Sequence, residues 1–176
     1  PSVQNQTLPM VSNEWTLGPP TVELTVSQPF LIDSGTNETV HYFVLPTDLG
    51  EDRWISAVDV IPGSRAIVRH VSLYMDTTGQ AKTADRAHSG PGFTSDFNSE
   101  QPIAVWWPGQ NLVDLDEVGY ALPAGADIVA RVLYKKTWIT EGQPFTDQTR
   151  FGLYLNDKDV RTIQYTIVGF TEEVDG

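Results

Sequence analysis

The three histidines of the chain are the residues best suited to metal chemistry. His41, His70 and His88 each carry an imidazole, the side chain that protein copper and zinc sites commonly use. Two histidines on one face of a strand or helix lie two or four positions apart, and no pair here has that spacing. A three-histidine site would therefore have to be assembled by the fold. Hydrogen-bonded or exposed histidines are the alternative.

Other catalytic and metal-binding patterns are weak or missing. The 176-residue chain contains no cysteine, which excludes disulfides, thiol catalysis and cysteine-ligated metal centres. It has no Gly-x-Ser-x-Gly nucleophile turn and no phosphate-binding glycine loop. Asp114, Asp116 and Glu117 could form half of a calcium loop. They lack the twelve-residue ligand spacing, so we expect them in a solvated loop.

The aromatic pair Trp106-Trp107 is the clearest candidate for a binding surface. Neighbouring residues of a strand point to opposite faces of a sheet, so at most one of the two indoles can face the core. The other is expected at the surface, or under a loop or a partner, and an exposed tryptophan often marks a contact. A protein partner and a carbohydrate are both open as its ligand.

The charge distribution restricts the kinds of partner. The formal net charge is −12, which makes nucleic acid and anionic membrane surfaces poor partners. Residues 87–130 contain no Lys or Arg but six acidic residues, among them Asp114, Asp116 and Glu117. Such a stretch is either a solvated face or a docking face for a basic partner such as a cytochrome, whose association rate it would raise.

The elements that must position these residues are β-strands. Apolar residues alternate or form short runs bounded by turn-forming residues, which is typical of strands. The runs lie at residues 22–26, 40–45, 54–61, 66–75, 103–107, 128–136, 151–155 and 160–168. We find no convincing amphipathic helix and expect residues 79–101 to form a long loop. The pattern predicts an all-β domain, either an antiparallel sandwich or a barrel.

One domain is expected from a chain of this length. We place a β-sandwich at residues 14–170, an extended N-terminal arm at residues 1–13 and an acidic tail at residues 171–176. No apolar run reaches the roughly 20 residues that a membrane-spanning helix needs. The chain opens on Pro1 rather than on Met, which fits removal of an export signal and equally fits a chain that begins late.

Short sequence blocks in a shared order resemble a known enzyme family. The blocks are residues 14–20, 42–46, 52–55, 62–65, 68–74, 90–93, 107–109, 122–127, 132–134 and 147–154. They are similar to the N-terminal half of the copper type II, ascorbate-dependent monooxygenases, which include the peptidylglycine and dopamine β-monooxygenases and bacterial homologues. The resemblance runs from Trp15 to about Leu155. It implies a jelly-roll-like β-sandwich in a secretory or periplasmic setting.

The copper ligands of that family do not carry over to this chain. The family's N-terminal half holds one copper ion on three histidines, two from a His-His pair and one from a later His-Tyr pair. The first pair falls on Arg69-His70, and the third ligand falls on Leu133, which precedes Tyr134. A guanidinium has no lone pair for a metal, and a leucine side chain cannot coordinate. One ligand of the three is therefore present.

The carry-over also makes a structural prediction. Arg69 should lie near His70 and Leu133, with its guanidinium hydrogen-bonded or ion-paired, because a buried and unpaired guanidinium is costly. If Arg69 and Leu133 lay far apart, the assignment of the ligand positions would be wrong.

The residues and the resemblance together favour a non-catalytic protein. We expect a copper-free, monooxygenase-like β-sandwich without a cofactor, which acts as a structural or interaction subunit of a periplasmic or extracellular assembly. One such assembly is a membrane-bound, cytochrome-containing electron-transfer complex, in which the chain would be an extrinsic subunit. Its candidate contacts are Trp106, Trp107, Asp114, Asp116 and Glu117.

Two alternatives stay open. The first is a copper monooxygenase or copper-binding protein with a rearranged site, in which His41 or His88 would have to join His70. The second is a carbohydrate- or small-ligand-binding module that uses exposed aromatic side chains, with a pocket or flat platform near Trp106 or Trp138.

Overall fold

The computed structural model describes residues 14–95, 97, 102–110, 118–156 and 161–162. Within these residues the chain forms eleven β-strands and one short helix. The strands are β1 (Val22–Thr25), β2 (Phe30–Ile32), β3 (Glu38–Pro46), β4 (Arg53–Ile61), β5 (Val68–Asp76), β6 (Ala104–Trp106), β7 (Val118–Leu122), β8 (Asp127–Lys135), β9 (Phe145–Asp147), β10 (Arg150–Asn156) and β11 (Arg161–Thr162), and the helix is α1 (Gln80–Arg86). No helix in this part of the chain is long and apolar enough to cross a bilayer.

The strands form two main sheets on either side of a common core. The five-stranded sheet has the order β1-β10-β4-β7-β11, the four-stranded sheet has the order β3-β8-β5-β6, and β2 pairs with β9. The strand pairs of the described residues are antiparallel except β7–β11, in which two residues of each strand pair in parallel. The all-β, antiparallel sandwich predicted from the sequence is confirmed.

Side chains from both sheets fill this core. Phe43, Leu73 and Val132 of the four-stranded sheet belong to the same cluster as Ile55 and Leu153 of the five-stranded sheet. All five are almost completely buried, and full burial of one such side chain stabilises a fold by roughly 1.5–3 kcal/mol. The alternating apolar residues of the sequence are therefore the inward-facing rows of the strands.

A short helix covers the outer face of the four-stranded sheet, where the sequence predicts only a loop. Helix α1 lies inside the expected loop at residues 79–101. Its residue Ala81 joins Tyr42, Phe93 and Val129 in a second buried cluster. The expectation that this segment has no helix is therefore wrong. Seven residues are too few to show a clear helical period, and so short a helix depends on tertiary contacts.

The start of α1 is positioned by the buried carboxylate of Asp76. Its Oδ1 accepts hydrogen bonds from the N–H groups of Thr78 and Gly79 at 2.8 and 3.0 Å, and its Oδ2 accepts one from Ala81 at 2.9 Å. Burial alone would raise the pKa of Asp76, but the hydrogen bonds from Thr78, Ala81 and Gly79 outweigh burial and hold that pKa below its usual value. The carboxylate at the end of β5 therefore directs the first turn of the helix onto the sheet.

The sequence prediction of strands is incomplete at the short elements. It lacks β2, β7 and β9. Strands β2 and β9 have three residues each and pair with each other, which is too short for an alternating pattern to be recognised. Of the strand predicted at residues 160–168, the structure describes only Arg161–Thr162, as β11. The arm at residues 1–13 and the tail at residues 171–176 lie outside the described residues.

The connections that follow β4 and β9 meet in a tight corner. Gly63 lies against the backbone of Gln148, so a Cβ added at Gly63 would lie 2.5 Å from the Gln148 nitrogen and 2.9 Å from its oxygen. Only glycine permits so close an approach of two backbones. Beside it, the buried Asp147 carboxylate accepts a hydrogen bond from the Ser64 N–H at 2.7 Å. The corner therefore joins the β4–β5 connection to the β9–β10 connection.

We predict that Gly63→Ala destabilises the fold by roughly 1–3 kcal/mol, because the added methyl group meets backbone atoms that cannot move independently of the strands. Urea denaturation of the full chain measures this change in the free energy of unfolding. The matched control is Gly50→Ala, since a Cβ at Gly50 has no atom within 4 Å. That control should leave stability unchanged or raise it by up to about 1 kcal/mol. Equal stabilities of the two variants would contradict the prediction.

Candidate functional site

The structure brings together the three positions of the expected ligand set. His70 on β5 and Leu133 on β8 are direct partners where the two strands pair. The register shifts between Val68 and His70, so Arg69 occupies a β-bulge beside that pair. The predicted proximity of Arg69, His70 and Leu133 is confirmed. Their correspondence to the copper ligands of the monooxygenases stays a prediction.

The guanidinium of Arg69 is held by backbone carbonyl groups. Its Nη2 donates a hydrogen bond to the Ala66 oxygen at 2.8 Å, and its Nε donates one to the Lys135 oxygen at 3.2 Å. The hydrogen bonding expected for Arg69 is therefore confirmed. Both acceptors are neutral, so they orient the side chain without cancelling its positive charge.

The His70 imidazole is half-buried on the outer side of the four-stranded sheet, since its neighbour Val71 points into the core. Burial lowers the pKa of His70, and the positive charge of Arg131 lowers that pKa further. Arg131 lies on β8 opposite Ser72, two positions along β5 from His70. His70 is therefore mainly neutral at neutral pH and keeps one nitrogen lone pair, which makes it a competent but single ligand.

The residues at this position do not fit a copper centre. One imidazole, one guanidinium and one hydrocarbon side chain supply a single lone pair suitable for a metal. The other two histidines have partners elsewhere, because His41 is hydrogen-bonded to the Pro91 carbonyl and His88 to the Ala84 carbonyl, each at 2.9 Å. In the part of the chain that the structure describes, no group of three His, Asp or Glu residues could hold a metal ion.

Tyr134, the neighbour of Leu133, takes part in a buried hydrogen-bond network. Its hydroxyl donates to Oδ2 of Asp147 at 2.9 Å, and Thr149 donates to the same oxygen through its N–H at 3.2 Å and its hydroxyl at 2.8 Å. Burial, and then the charge of Asp147, raise the pKa of the Tyr134 phenol far above its usual value. The Ser64 N–H donates to the other oxygen of the same carboxylate. Asp147 is therefore the meeting point of three of the sequence blocks, at residues 62–65, 132–134 and 147–154. No local sequence pattern indicated this network.

The predicted partner contacts are divided between the core and the surface. Trp106 packs against the core, whereas Trp107 is 51% exposed. The expectation that at most one of the two indoles faces the core is confirmed. Asp114, Asp116 and Glu117 lie outside the described residues, so Trp107 is the one of these five candidates that the structure places at the surface.

A second exposed apolar surface lies on the turn that follows β8; it is outside the five predicted partner contacts, but the ligand-binding alternative names its Trp138. Trp138 is 84% exposed and Ile139 is 63% exposed. The turn is closed by the Thr140 N–H, which donates to the Thr137 oxygen at 2.8 Å, and by the Thr137 N–H, which donates to Thr140 Oγ1 at 2.8 Å. We call residues 137–143 the Trp138 turn. A Trp-Ile pair between two threonines is visible in the sequence, but its exposure depends on the fold.

A buried lysine attaches the Trp138 turn to the sandwich. The Lys136 ammonium group donates hydrogen bonds to the oxygens of Asp33 and Ser34 at 2.5 and 3.4 Å, and it lies 6.0 Å from the centre of the Phe145 ring. A buried charge needs partners of this kind. The base of the turn is therefore tied to the β2–β3 connection, and Trp138 is presented on a hydrogen-bonded support.

Comparisons of the chain with protein-family models, with curated proteins and with solved structures found no match. The class that the fold defines is an all-β sandwich. A fold of this class serves many functions, so the function has to be inferred from the surfaces and side chains described above.

Copper binding can be tested by placing imidazoles at the two positions that lack them. We expect the unchanged protein to bind copper only substoichiometrically, because His70 is a single ligand. The double substitution Arg69→His with Leu133→His should bind one copper ion, since directly opposed residues of paired strands have Cβ atoms about 5 Å apart. Copper content after dialysis and the electron paramagnetic resonance spectrum measure the binding.

The control is the same double substitution combined with His70→Gln, which should lower the copper content again. One equivalent of copper on the unchanged protein, lost on His70→Gln, would contradict the expectation. A folded double variant that binds no copper would equally contradict it.

Proposed function

We propose that the chain is a non-catalytic, monooxygenase-like β-sandwich that acts as a structural or interaction subunit of a periplasmic or extracellular assembly. The observation that carries the proposal is the Trp138 turn, which exposes Trp138 and Ile139 on a support tied down by a buried lysine. Large apolar side chains that are held in place and left exposed are typical of surfaces that another molecule covers.

The chemistry at residues 69, 70 and 133 supports a role without catalysis. A function has to be argued from its site, and a copper-dependent reaction would need more than the single imidazole of His70. Arg69 and Leu133 add no metal donor.

The charge supports a protein partner with a basic surface. The net charge is −12, and Lys and Arg are missing from residues 87–130. Electrostatic complementarity of this kind accelerates association with a positively charged partner such as a cytochrome. A membrane-bound electron-transfer complex offers such a partner, and the chain would be an extrinsic subunit of it.

The proposal predicts that the chain belongs to a large complex in its source cells. A mild detergent extract is separated on a sizing column, and the fractions are probed for the full-length protein. Elution in a high-mass peak is the expected result, and mass spectrometry of that peak identifies the partner. The double substitution Trp138→Ala with Ile139→Ala should shift the protein to the monomer position, because it removes the exposed apolar contact.

The comparison variant is Trp107→Ala, because Trp107 is the one predicted partner contact that the structure places at the surface, with 51% exposure. Loss of the complex in the 138/139 variant alone would place the contact on the Trp138 turn. Monomeric elution of the unchanged protein would contradict a subunit role.

A carbohydrate- or small-ligand-binding module is the second candidate, because the 84% exposure of Trp138 also suits stacking of an apolar ring face. This function predicts a saturable change in tryptophan fluorescence when soluble glycans are titrated into the protein. The change should disappear in Trp138→Ala and persist in Trp107→Ala. A glycan panel that leaves the fluorescence of the unchanged protein constant would contradict this candidate.

A further inference from the structure

The outer edge of β3 is closed by a segment that belongs to no strand. Tyr42 and Phe93 exchange two backbone hydrogen bonds, from the Tyr42 N–H to the Phe93 oxygen at 2.8 Å and from the Phe93 N–H to the Tyr42 oxygen at 2.9 Å. The Phe93 ring is fully buried and stacks on the Tyr42 ring, with centroids 5.3 Å apart. This segment, residues 91–93, shields the polar groups of an edge strand that would otherwise be available for pairing.

The close fit of the segment depends on Gly92. Its φ is +77°, and a Cβ at this position would collide with the Tyr42 oxygen and lie 2.9 Å from ring atoms of His41 and Phe43. The positive φ is easily adopted only by glycine. The 91–93 segment is therefore packed directly onto β3, and the His41 ring forms part of the contact.

His41 supplies the side-chain hydrogen bond that holds this segment. Its ring stacks on Phe30 at 4.1 Å, and its Nε2 lies 2.9 Å from the Pro91 oxygen. A carbonyl oxygen only accepts hydrogen bonds, so Nε2 carries the ring hydrogen and donates the hydrogen bond. The neutral ring therefore has its lone pair on Nδ1, which is buried and has no hydrogen-bond partner among the described residues. His41 as a whole is 8% exposed.

Two titratable groups of the described residues act on the His41 ring, and both come from the end of α1 and the turn after it. The positive form of His88 lowers the pKa of His41, and the carboxylate of Asp85 raises it. From β2 the ring meets Phe30, from its own strand it meets Phe43, and from the 91–93 segment it meets the Pro91 carbonyl. None of these three contacts contributes an ionisable group.

Burial is the largest influence on His41 and lowers its pKa below 6.5, while the Pro91 hydrogen bond raises it by less. In the closed arrangement the ring is therefore neutral. A proton added at Nδ1 would create a buried positive charge. It would also create a buried N–H donor that has no acceptor among the described residues.

We propose that His41 is an acid-sensitive latch, and that protonation of its Nδ1 releases the 91–93 segment from the edge of β3. Release hydrates the charged ring. It also exposes the Phe93 ring and frees the backbone groups of Tyr42 at the edge of the four-stranded sheet. The direction follows from linkage: the closed arrangement binds the proton less tightly than the open one. Falling pH therefore favours the open arrangement, starting where a hydrated histidine begins to titrate, near pH 6.5.

Amide hydrogen exchange of the full chain tests the latch. Exchange of the Tyr42 and Phe93 amides is measured by NMR from roughly pH 7.5 to pH 5, and each rate is divided by the intrinsic rate at that pH. One linked proton predicts that opening increases about tenfold per pH unit between the pKa values of the open and closed arrangements. The amide of Val132, in the centre of the same sheet, should keep its protection over this range.

Substitutions assign the effect to the correct side chain. His41→Gln keeps an N–H donor but does not titrate, so the protection of Phe93 should no longer depend on pH. His88→Gln tests the other imidazole near the segment, since the His88 and Phe93 ring centroids are 6.3 Å apart. A latch at His41 predicts that the pH dependence of Phe93 protection persists in this variant. Constant protection of Phe93 in the unchanged protein, or an unchanged pH dependence in His41→Gln, would overturn the proposal.

A second measurement covers the case in which His41→Gln does not fold. The ring carbon signals of His41 in the unchanged protein are titrated by NMR, and their midpoint is compared with the midpoint for loss of Phe93 protection. Equal midpoints are expected. A ring that titrates without any change at Phe93, or a loss of protection while the ring stays neutral, would show that His41 does not control the segment.

Discussion

The buried carboxylate of Asp147 is the interaction on which the arrangement of the two sheets depends most. It accepts hydrogen bonds from the Ser64 N–H, from the Tyr134 hydroxyl and from both donors of Thr149. A carboxylate leaves water at a high cost unless hydrogen bonds replace those of the solvent. The donors come from the β4–β5 connection, from β8 and from the β9–β10 connection, so this end of the sandwich is stable only when all three meet.

The same network sets the register that brings the candidate ligand positions together. Tyr134 pairs with Val68, and its hydroxyl is held by Asp147, so Leu133 lies opposite His70. This register buries the Tyr134 side chain and does not require a metal. The backbone arrangement of the site is therefore independent of its side-chain chemistry, and the fold can persist where the side chains provide one imidazole and no further metal donor.

Large apolar side chains are covered in one part of the surface and exposed to solvent in another. Helix α1 and the 91–93 segment bury Tyr42, Phe93 and Val129 on the outer side of the four-stranded sheet. The Trp138 turn leaves a tryptophan and an isoleucine in solvent, although a buried lysine holds the base of that turn. Association through an exposed surface releases water from apolar groups, so the contact that we propose with a partner is favoured at the Trp138 turn. Contacts at the β3 edge would first require the covering segment to open.

The amino-acid sequence is enough to predict the fold class, because inward and outward residues alternate along a strand whatever lies across the core. It is also enough to predict the chemistry available at residues 69, 70 and 133, since residue type decides which atoms carry lone pairs. The short helix, the exposure of Trp138 and the network around Asp147 depend on contacts between distant segments. Ser64 and Asp147 are 83 positions apart, and Lys136 finds its carbonyl partners 102 and 103 positions away. Burial and hydrogen bonding between such distant segments exist only once the chain has folded, so no local pattern could encode them.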